Sequence, residues 1–135
     1  MADKSLKFWT ESPNVFLVAI SSRSQLVLGS IAYEQITSDT IELGRLSVDP
    51  KNRGLGIGWK LTQHLINTAR ENGYKKLYVE TTSPQFEAIN LYRKFNFTSL
   101  GKKECKISDL NLFSNQNQTL VTLCGFCIVA FSYKL

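Results

Sequence analysis

Cysteine and histidine are scarce in this sequence. Its 135 residues include three cysteines and one histidine, His64. A small, odd number of cysteines argues against a disulfide-bonded scaffold. One histidine without other candidate ligands nearby argues against a zinc site. Cys124 and Cys127 form a C-x-x-C pattern, but they lie in an apolar segment where buried, inert thiols are expected. The sequence therefore predicts neither a metal site nor redox chemistry.

Net charge and apolar run length are also limited. The formal net charge is +5, which favours an anionic ligand. The basic cluster of Arg93, Lys94, Lys102, Lys103 and Lys106 is expected to form a solvated face or to steer an acidic substrate, so nucleic acid is not an expected partner. The longest apolar run, 120–133, is shorter than the roughly 20 residues of a membrane span. The N-terminus resembles no signal peptide. These features favour a cytoplasmic chain, with membrane association only if a longer form carries an anchor.

The pattern of apolar residues predicts one α/β domain over residues 1–135. The element order is β-β-β-α-β-α-β-β after an irregular segment, 1–14. The predicted strands cover residues 14–20, 26–34, 41–48, 75–82, 96–107 and 119–135. One helix follows the glycines at 54–58 and stops at Asn72-Gly73. A second helix is capped by Ser83, with Pro84 at its first position. The central strand-helix-strand unit should be parallel, and the flanking hairpins antiparallel.

Glycines alternate at positions 54, 56 and 58, between a predicted strand and a predicted helix. Unsatisfied N–H groups and the helix dipole create an anion site at such a junction, and glycine lets the backbone approach a phosphate closely. The spacing matches neither a Walker A loop nor a dinucleotide fingerprint. A tight turn that needs glycine only for its geometry is the alternative.

The stretch Arg53-Gly54-Leu55-Gly56-Ile57-Gly58 resembles the R/Q-x-x-G-x-G/A signature of the GNAT acetyltransferase superfamily. The downstream stretch EAINLYRKFNF resembles its second signature, A-x-x-L-Y-x-x-x-G-F, with Asn96 in place of the glycine. Asparagine tolerates the left-handed backbone angles expected there. Within the superfamily, the segment VETTSPQFEAINLYRKF is most similar to camello-type N-acetyltransferases. The resemblance implies a splayed mixed β-sheet flanked by helices.

The resemblance also implies that acetyl-CoA is the co-substrate. The amides of residues 53–58 would hold its pyrophosphate, and Lys60 and Arg53 would meet phosphates. Lys51 has the same potential but is better explained as a surface residue. A bulge near Gly44 to Leu46 would free an amide for the thioester carbonyl. The expected cofactor-binding residues are Leu46, Ser47, Val48, Arg53, Gly54, Leu55, Gly56, Ile57, Gly58, Lys60 and Gln85.

Three residues are candidates for catalysis. Tyr92 matches the tyrosine that protonates the departing thiolate in the family, and a packed core tyrosine is the alternative. Glu80 and Glu42 match bases in two different branches, and a water chain could replace both. The implied reaction is direct attack of a primary amine in a ternary complex. The acceptor is a protein lysine, a protein N-terminus or a small amine.

The N-terminal part of the sequence departs from the family. A full member begins with a strand and one or two helices before the strand at Val15, whereas only residues 1–14 precede that strand here. The resemblance therefore predicts an N-terminally shortened form in which cofactor binding survives better than acceptor binding. A non-catalytic acyl-CoA-binding or regulatory module is the alternative function. An uncovered sheet surface also favours a homodimer.

Overall fold

A computed structural model of the chain describes residues 6–82, 84–104 and 127–135. Three helices are present: α1 (Leu6–Thr10), α2 (Ile57–Glu71) and α3 (Phe86–Lys94). The strands are β1 (Val15–Ile20), β2 (Val27–Gln35), β3 (Thr40–Val48), β4 (Lys76–Thr82), β5 (Thr98–Glu104) and β6 (Cys127–Lys134). They form one mixed sheet in the order β1-β2-β3-β4-β6-β5. The predicted α/β class and element order are confirmed.

Strand directions also agree with the sequence. The β1/β2, β2/β3 and β5/β6 pairs are antiparallel. The β3/β4 pair, joined through α2, is parallel and matches Thr40–Glu42 with Lys76–Tyr78. Residues 105–126 lie outside the described residues. They include the predicted polar loop and Cys124. The single-domain boundary stays a prediction.

The described chain divides into two compact units. The first contains α1, β1 to β3, α2 and the start of β4, up to Val79, together with residues from Tyr133 onward. The second begins at Glu80 and contains α3, β5 and β6 as far as Ser132. Each unit contributes a separate set of the residues that the sequence predicts to be functional.

One prediction for the N-terminus is wrong. The segment 1–14 was expected to be irregular, but α1 forms within it and packs against β1 and β2. The Asn14 side chain donates a hydrogen bond to the Phe8 carbonyl at 2.9 Å and accepts one from the Gln35 amide at 3.1 Å. Trp9 is only 8% exposed. Five residues are too few for a stable isolated helix, so tertiary packing stabilises α1.

Helix α2 forms the core of the first unit because its apolar residues recur at helical spacing. Leu61, Leu65, Ile66 and Ala69 are buried on it. The buried Thr62 hydroxyl donates a hydrogen bond to the Gly58 carbonyl at 2.8 Å, so its burial leaves no unpaired polar group. The helix ends at Asn72, followed by Gly73 with a φ of +84°. This end was predicted and is confirmed.

Gly29 on β2 permits the close approach of α2. A Cβ atom built there would lie 2.7 Å from the Ser47 carbonyl oxygen on β3, 3.2 Å from Leu61 Cδ1 and 3.4 Å from Ile57 Cγ2. Glycine inside a strand pattern often marks such an approach. Gly44 on β3, near the predicted bulge, has no such neighbour, since a Cβ there would meet no atom within 4 Å.

We therefore expect Gly29→Ala to lower the free energy of unfolding by about 1–3 kcal/mol, because a backbone carbonyl must move to admit the methyl group. Gly44→Ala is the matched control on the neighbouring strand and should change stability by less than about 1 kcal/mol. Urea denaturation of both variants measures the difference. Equal losses in the two variants would contradict this explanation.

Candidate active site

A short 3-10 turn, Pro50–Asn52, connects β3 to the glycine segment. Asp49 begins it: its amide donates to the Leu28 carbonyl at 2.8 Å, and its carboxylate accepts from the Lys51 amide at 3.0 Å. The Arg53 Nε donates to the Val48 carbonyl at 3.3 Å. These bonds fix the direction in which the chain leaves β3 and enters the segment 54–58, which we call the glycine loop.

The glycine loop adopts backbone angles that side chains disfavour. Gly54 has a φ of +80° and Gly56 a φ of +78°. A residue other than glycine costs about 1–2 kcal/mol in this region. A Cβ atom at either position would meet no atom within 4 Å, so the space beside both glycines is open. Glycine is therefore required at both positions by the backbone conformation, and not by crowding from neighbouring residues.

Gly56 is the N-cap of α2, and no side chain caps this helix end. The first intrahelical bond runs from the Lys60 amide to the Gly56 carbonyl at 3.0 Å. The N–H groups of the first turn precede this bond and therefore have no intrahelical acceptor. The first turn also contains no acidic residue. Together with the helix dipole, these donors make the glycine loop a suitable anion site.

The predicted bulge in β3 is present. Ser30 pairs with Ser47, and Ala32 pairs with Gly44, so two residues of β3 face Ile31 alone. The left-handed residue is Arg45, with a φ of +57°, and not the neighbouring Gly44. The Ser30 hydroxyl donates a hydrogen bond to the Arg45 carbonyl at 3.0 Å. Since C=O and N–H point in opposite directions across a trans peptide, the Leu46 amide is directed away from this hydroxyl.

The remaining candidates for cofactor contact in the first unit lie on the surface or near it. Ser47 is exposed, and Leu46 and Val48 are half-buried on β3. Leu55, at the tip of the glycine loop, is 67% exposed. Three exposed cationic side chains flank the glycine loop: Lys51 and Arg53 precede it, and Lys60 lies in the first turn of α2. His64 is exposed on α2.

The two candidate bases differ in exposure. Glu42 is half-buried on β3, opposite Glu34 of β2 and Tyr78 of β4 in the strand registers. Glu80 is exposed on β4. It lies near the carboxyl end of β4, which continues only as far as Thr82. Glu42 belongs to the first unit and Glu80 to the second.

Tyr92 lies on α3 and is 3% exposed. Its ring contacts Phe97 at a centroid distance of 5.3 Å and Phe131 at 5.7 Å. Burial raises the pKa of Tyr92 to about 12. Among the described residues, no side chain or backbone group forms a hydrogen bond with its hydroxyl. The phenol is therefore neutral at physiological pH and retains its proton for donation.

The pKa of Tyr92 has a consequence for stability at high pH. Because the folded pKa lies above the ordinary value of 10, the unfolded chain loses this proton first as pH rises. The contribution of Tyr92 to the free energy of unfolding is therefore fully present below pH 10. It is lost between about pH 10 and 12, and the loss amounts to roughly 2–3 kcal/mol. The stability difference between the natural chain and Tyr92→Phe should change across this window. Urea midpoints at pH 8 and pH 11 test this, and a pH-independent difference would contradict it.

Gln85 is the N-cap residue of α3, which begins at Phe86. The predicted start of this helix at Pro84 is therefore wrong by two residues, and Ser83 lies outside the described residues. The hydroxyl of the buried residue Thr81, on β4, donates a hydrogen bond to Gln85 Oε1. At the other end of α3, Asn96 has a φ of +62°, so the predicted left-handed asparagine is confirmed.

Two further observations are limited to the described ranges 6–82, 84–104 and 127–135. Within them, no three His, Cys, Asp or Glu side chains come together as metal ligands. No helix there has the length and apolar character needed to cross a membrane.

The family model for acetyltransferases of the GNAT family matches residues 2–97. The chain belongs to the GNAT acetyltransferase family. The predicted family is therefore confirmed, and the glycine loop and Tyr92 both lie within the matched range. Human N-acetyltransferase 8B is 29% identical over 76% of the chain and 46% of its own length. The probable N-acetyltransferase camello of Xenopus tropicalis is 37% identical over 53% of the chain and 33% of its own length.

The camello-type similarity predicted from the segment around Tyr92 is thus confirmed. This GNAT chain spans less than half the length of both relatives. A solved GNAT acetyltransferase of Elizabethkingia anophelis, with acetyl-CoA bound, superimposes with a TM-score of 0.73 at 19% identity. The match covers 96% of this chain and 80% of that one. At this identity it establishes the fold alone.

Proposed function

We propose that this GNAT domain binds acetyl-CoA through its glycine loop and transfers the acetyl group to a primary amine by direct attack in a ternary complex. The observation that carries the proposal is the start of α2. Gly56 is left-handed, its side-chain position is open, and the helix has neither a side-chain cap nor an acidic first turn. These donors, with Arg53 before the loop and Lys60 after it, suit a pyrophosphate.

Acetyl-CoA, when bound, supplies an acyl group activated as a thioester. The chain supplies three further functions in this proposal. The Leu46 amide, directed away from the Ser30 hydroxyl, donates a hydrogen bond where negative charge develops on the acyl oxygen. Tyr92 holds the proton for the departing sulfur. A carboxylate accepts the proton of the amine. Gln85 and the edge of β3 at Ser47 and Val48 are the other proposed cofactor contacts.

The function test needs two measurements on the natural chain. Calorimetric titration with CoA and acetyl-CoA should give saturable binding, and incubation with acetyl-CoA should acetylate lysine peptides, peptide N-termini or small amines. Binding with acetylation of an amine supports the enzyme. Binding without acetylation of any acceptor in these three classes supports the acyl-CoA-binding module. No binding at millimolar cofactor, from folded protein, would contradict both.

Glu80 is our proposed base, because its carboxylate is exposed near the carboxyl end of β4, where ligands of open α/β sheets usually lie. We expect Glu80→Gln to lower kcat/KM by about 10-fold or more and to remove the acidic limb of the pH-rate profile. Glu42→Gln is the matched control and should have the smaller effect. A larger loss in Glu42→Gln would transfer the role to Glu42, and no loss in either would favour water.

The homodimer stays a prediction. The surface proposed for it consists of exposed apolar side chains on β1, which is an edge strand, and on the hairpin that follows. These side chains are Val18, Ile20, Leu26 and Val27, which are 44% to 65% exposed.

A further inference from the structure

The short helix α1 carries an aromatic side chain that reaches the bulge of β3. The guanidinium carbon of Arg45 lies 5.3 Å from the centroid of the Trp9 ring, within the range of a cation–π contact. Trp9 is also braced by Phe8, whose ring meets it edge to face at 5.1 Å. Trp9 therefore offers Arg45 a fixed, largely buried surface.

Arg45 is held at both of its ends. Its carbonyl accepts the hydrogen bond from Ser30 on β2, and its guanidinium stacks on Trp9 of α1. A residue other than glycine persists in the left-handed region only where its surroundings constrain it. The two contacts supply such constraints on Arg45, and the backbone angles of Arg45 orient the Leu46 amide.

We propose that Trp9 is a positioning residue, which holds Arg45 left-handed and thereby directs the Leu46 amide toward the acyl oxygen of the bound thioester. The inference rests on the proposed function, because it assigns that amide to acetyl-CoA. When the Trp9 contact is lost, Arg45 relaxes toward extended angles and the Arg45–Leu46 peptide rotates. The amide then no longer distinguishes an acyl thioester from a free thiol. The pyrophosphate donors of the glycine loop keep their positions.

The experiment compares dissociation constants for acetyl-CoA and CoA, since only acetyl-CoA has the carbonyl oxygen. In the natural chain we expect acetyl-CoA to bind about 5-fold more tightly, the effect of one net hydrogen bond. Trp9→Ala and Arg45→Ala should each reduce this ratio to about 1 while CoA affinity changes by less than about twofold. The double variant should lose no more than either single variant, because both remove one contact.

Two variants separate positioning from general packing. Trp9→Phe retains an aromatic face for Arg45 and should keep most of the preference for acetyl-CoA. Arg45→Gly loses the stacking, but glycine adopts the left-handed region readily, so this variant should also keep the preference. If Trp9→Ala does not fold, Arg45→Ala carries the test, because the Arg45 side chain is exposed.

The outcomes distinguish the inference from the proposed function. Folded Trp9→Ala or Arg45→Ala with an unchanged affinity ratio would overturn the positioning role while acyl-CoA binding stands. Equal binding of both ligands by the natural chain would overturn it as well. A natural chain that binds neither ligand would contradict the proposed function itself and the inference with it.

Discussion

Gly56→Val should raise the dissociation constant for CoA by about 100-fold or more. Its side chain would project into the open space beside the first turn of α2, where the N–H groups without an intrahelical acceptor lie. Losing two hydrogen bonds to a charged phosphate, each contributing about 1.5 kcal/mol, gives a change of this size. The stabilisation by saturating CoA, about 2.7 kcal/mol at 100 times the dissociation constant, should disappear from the melting curve.

Gly73→Val is the matched control for this variant. Gly73 has a φ of +84°, a Cβ there would also meet no atom within 4 Å, and it follows the opposite end of the same helix. Both variants therefore suffer the same kind of backbone strain without a clash. Gly73→Val should melt earlier but still bind CoA like the natural chain. If both variants lost CoA binding equally, or if neither did, the glycine loop would not be the phosphate site.

Tyr92→Phe should reduce turnover by about 10- to 100-fold with little change in CoA affinity. Phenylalanine keeps the ring contacts with Phe97 and Phe131 and removes only the hydroxyl. Burial raises the pKa of Tyr92 to about 12, while an ordinary thiol has a pKa of about 8.5. Complete proton transfer to a thiolate is therefore uphill, unless burial also raises the pKa of the thiol. Hydrogen-bond donation to the developing thiolate is the main expected contribution.

Tyr74→Phe provides the comparison. Tyr74 also donates through its hydroxyl, to Gln35 Oε1 at 3.2 Å, but it lies in the first unit and has no role in the proposed reaction. Loss of the Tyr74 hydroxyl should leave turnover within about twofold of that of the natural chain. Steady-state rates at saturating acetyl-CoA, with one acceptor, measure both variants. Unchanged turnover in Tyr92→Phe would leave Tyr92 as a packed core residue.

Local patterns were sufficient for several features. Apolar residues at helical spacing identified α2, and Asn72-Gly73 identified its end, because caps and periodicity depend on residues close together in the chain. The glycine loop was identified for the same reason, since its left-handed angles at Gly54 and Gly56 are a local property. The left-handed conformation of Asn96 is likewise a local property, because asparagine tolerates these backbone angles.

Other features depend on contacts between distant residues. Gly29 is needed because α2 and the Ser47 carbonyl converge on it. A glycine inside a strand pattern is a signal of close approach, but it does not identify the distant groups that approach. Helix α1 was missed because five residues carry almost no periodic signal, and burial of Trp9 supplies the stabilisation. The bulge was predicted, but the cross-strand bond from Ser30 and the stacking on Trp9 decided that Arg45 is its left-handed residue.

The sequence by itself thus determined the family, the order of the main strands and helices, and the loop that suits a phosphate. These properties depend on periodicity, caps and glycine spacing over a few turns of chain. Only the tertiary structure decided the burial of Tyr92, which raises its pKa to about 12, and the direction of the Leu46 amide. Solvation and peptide orientation depend on which distant groups surround an atom, and short-range sequence patterns do not contain that information.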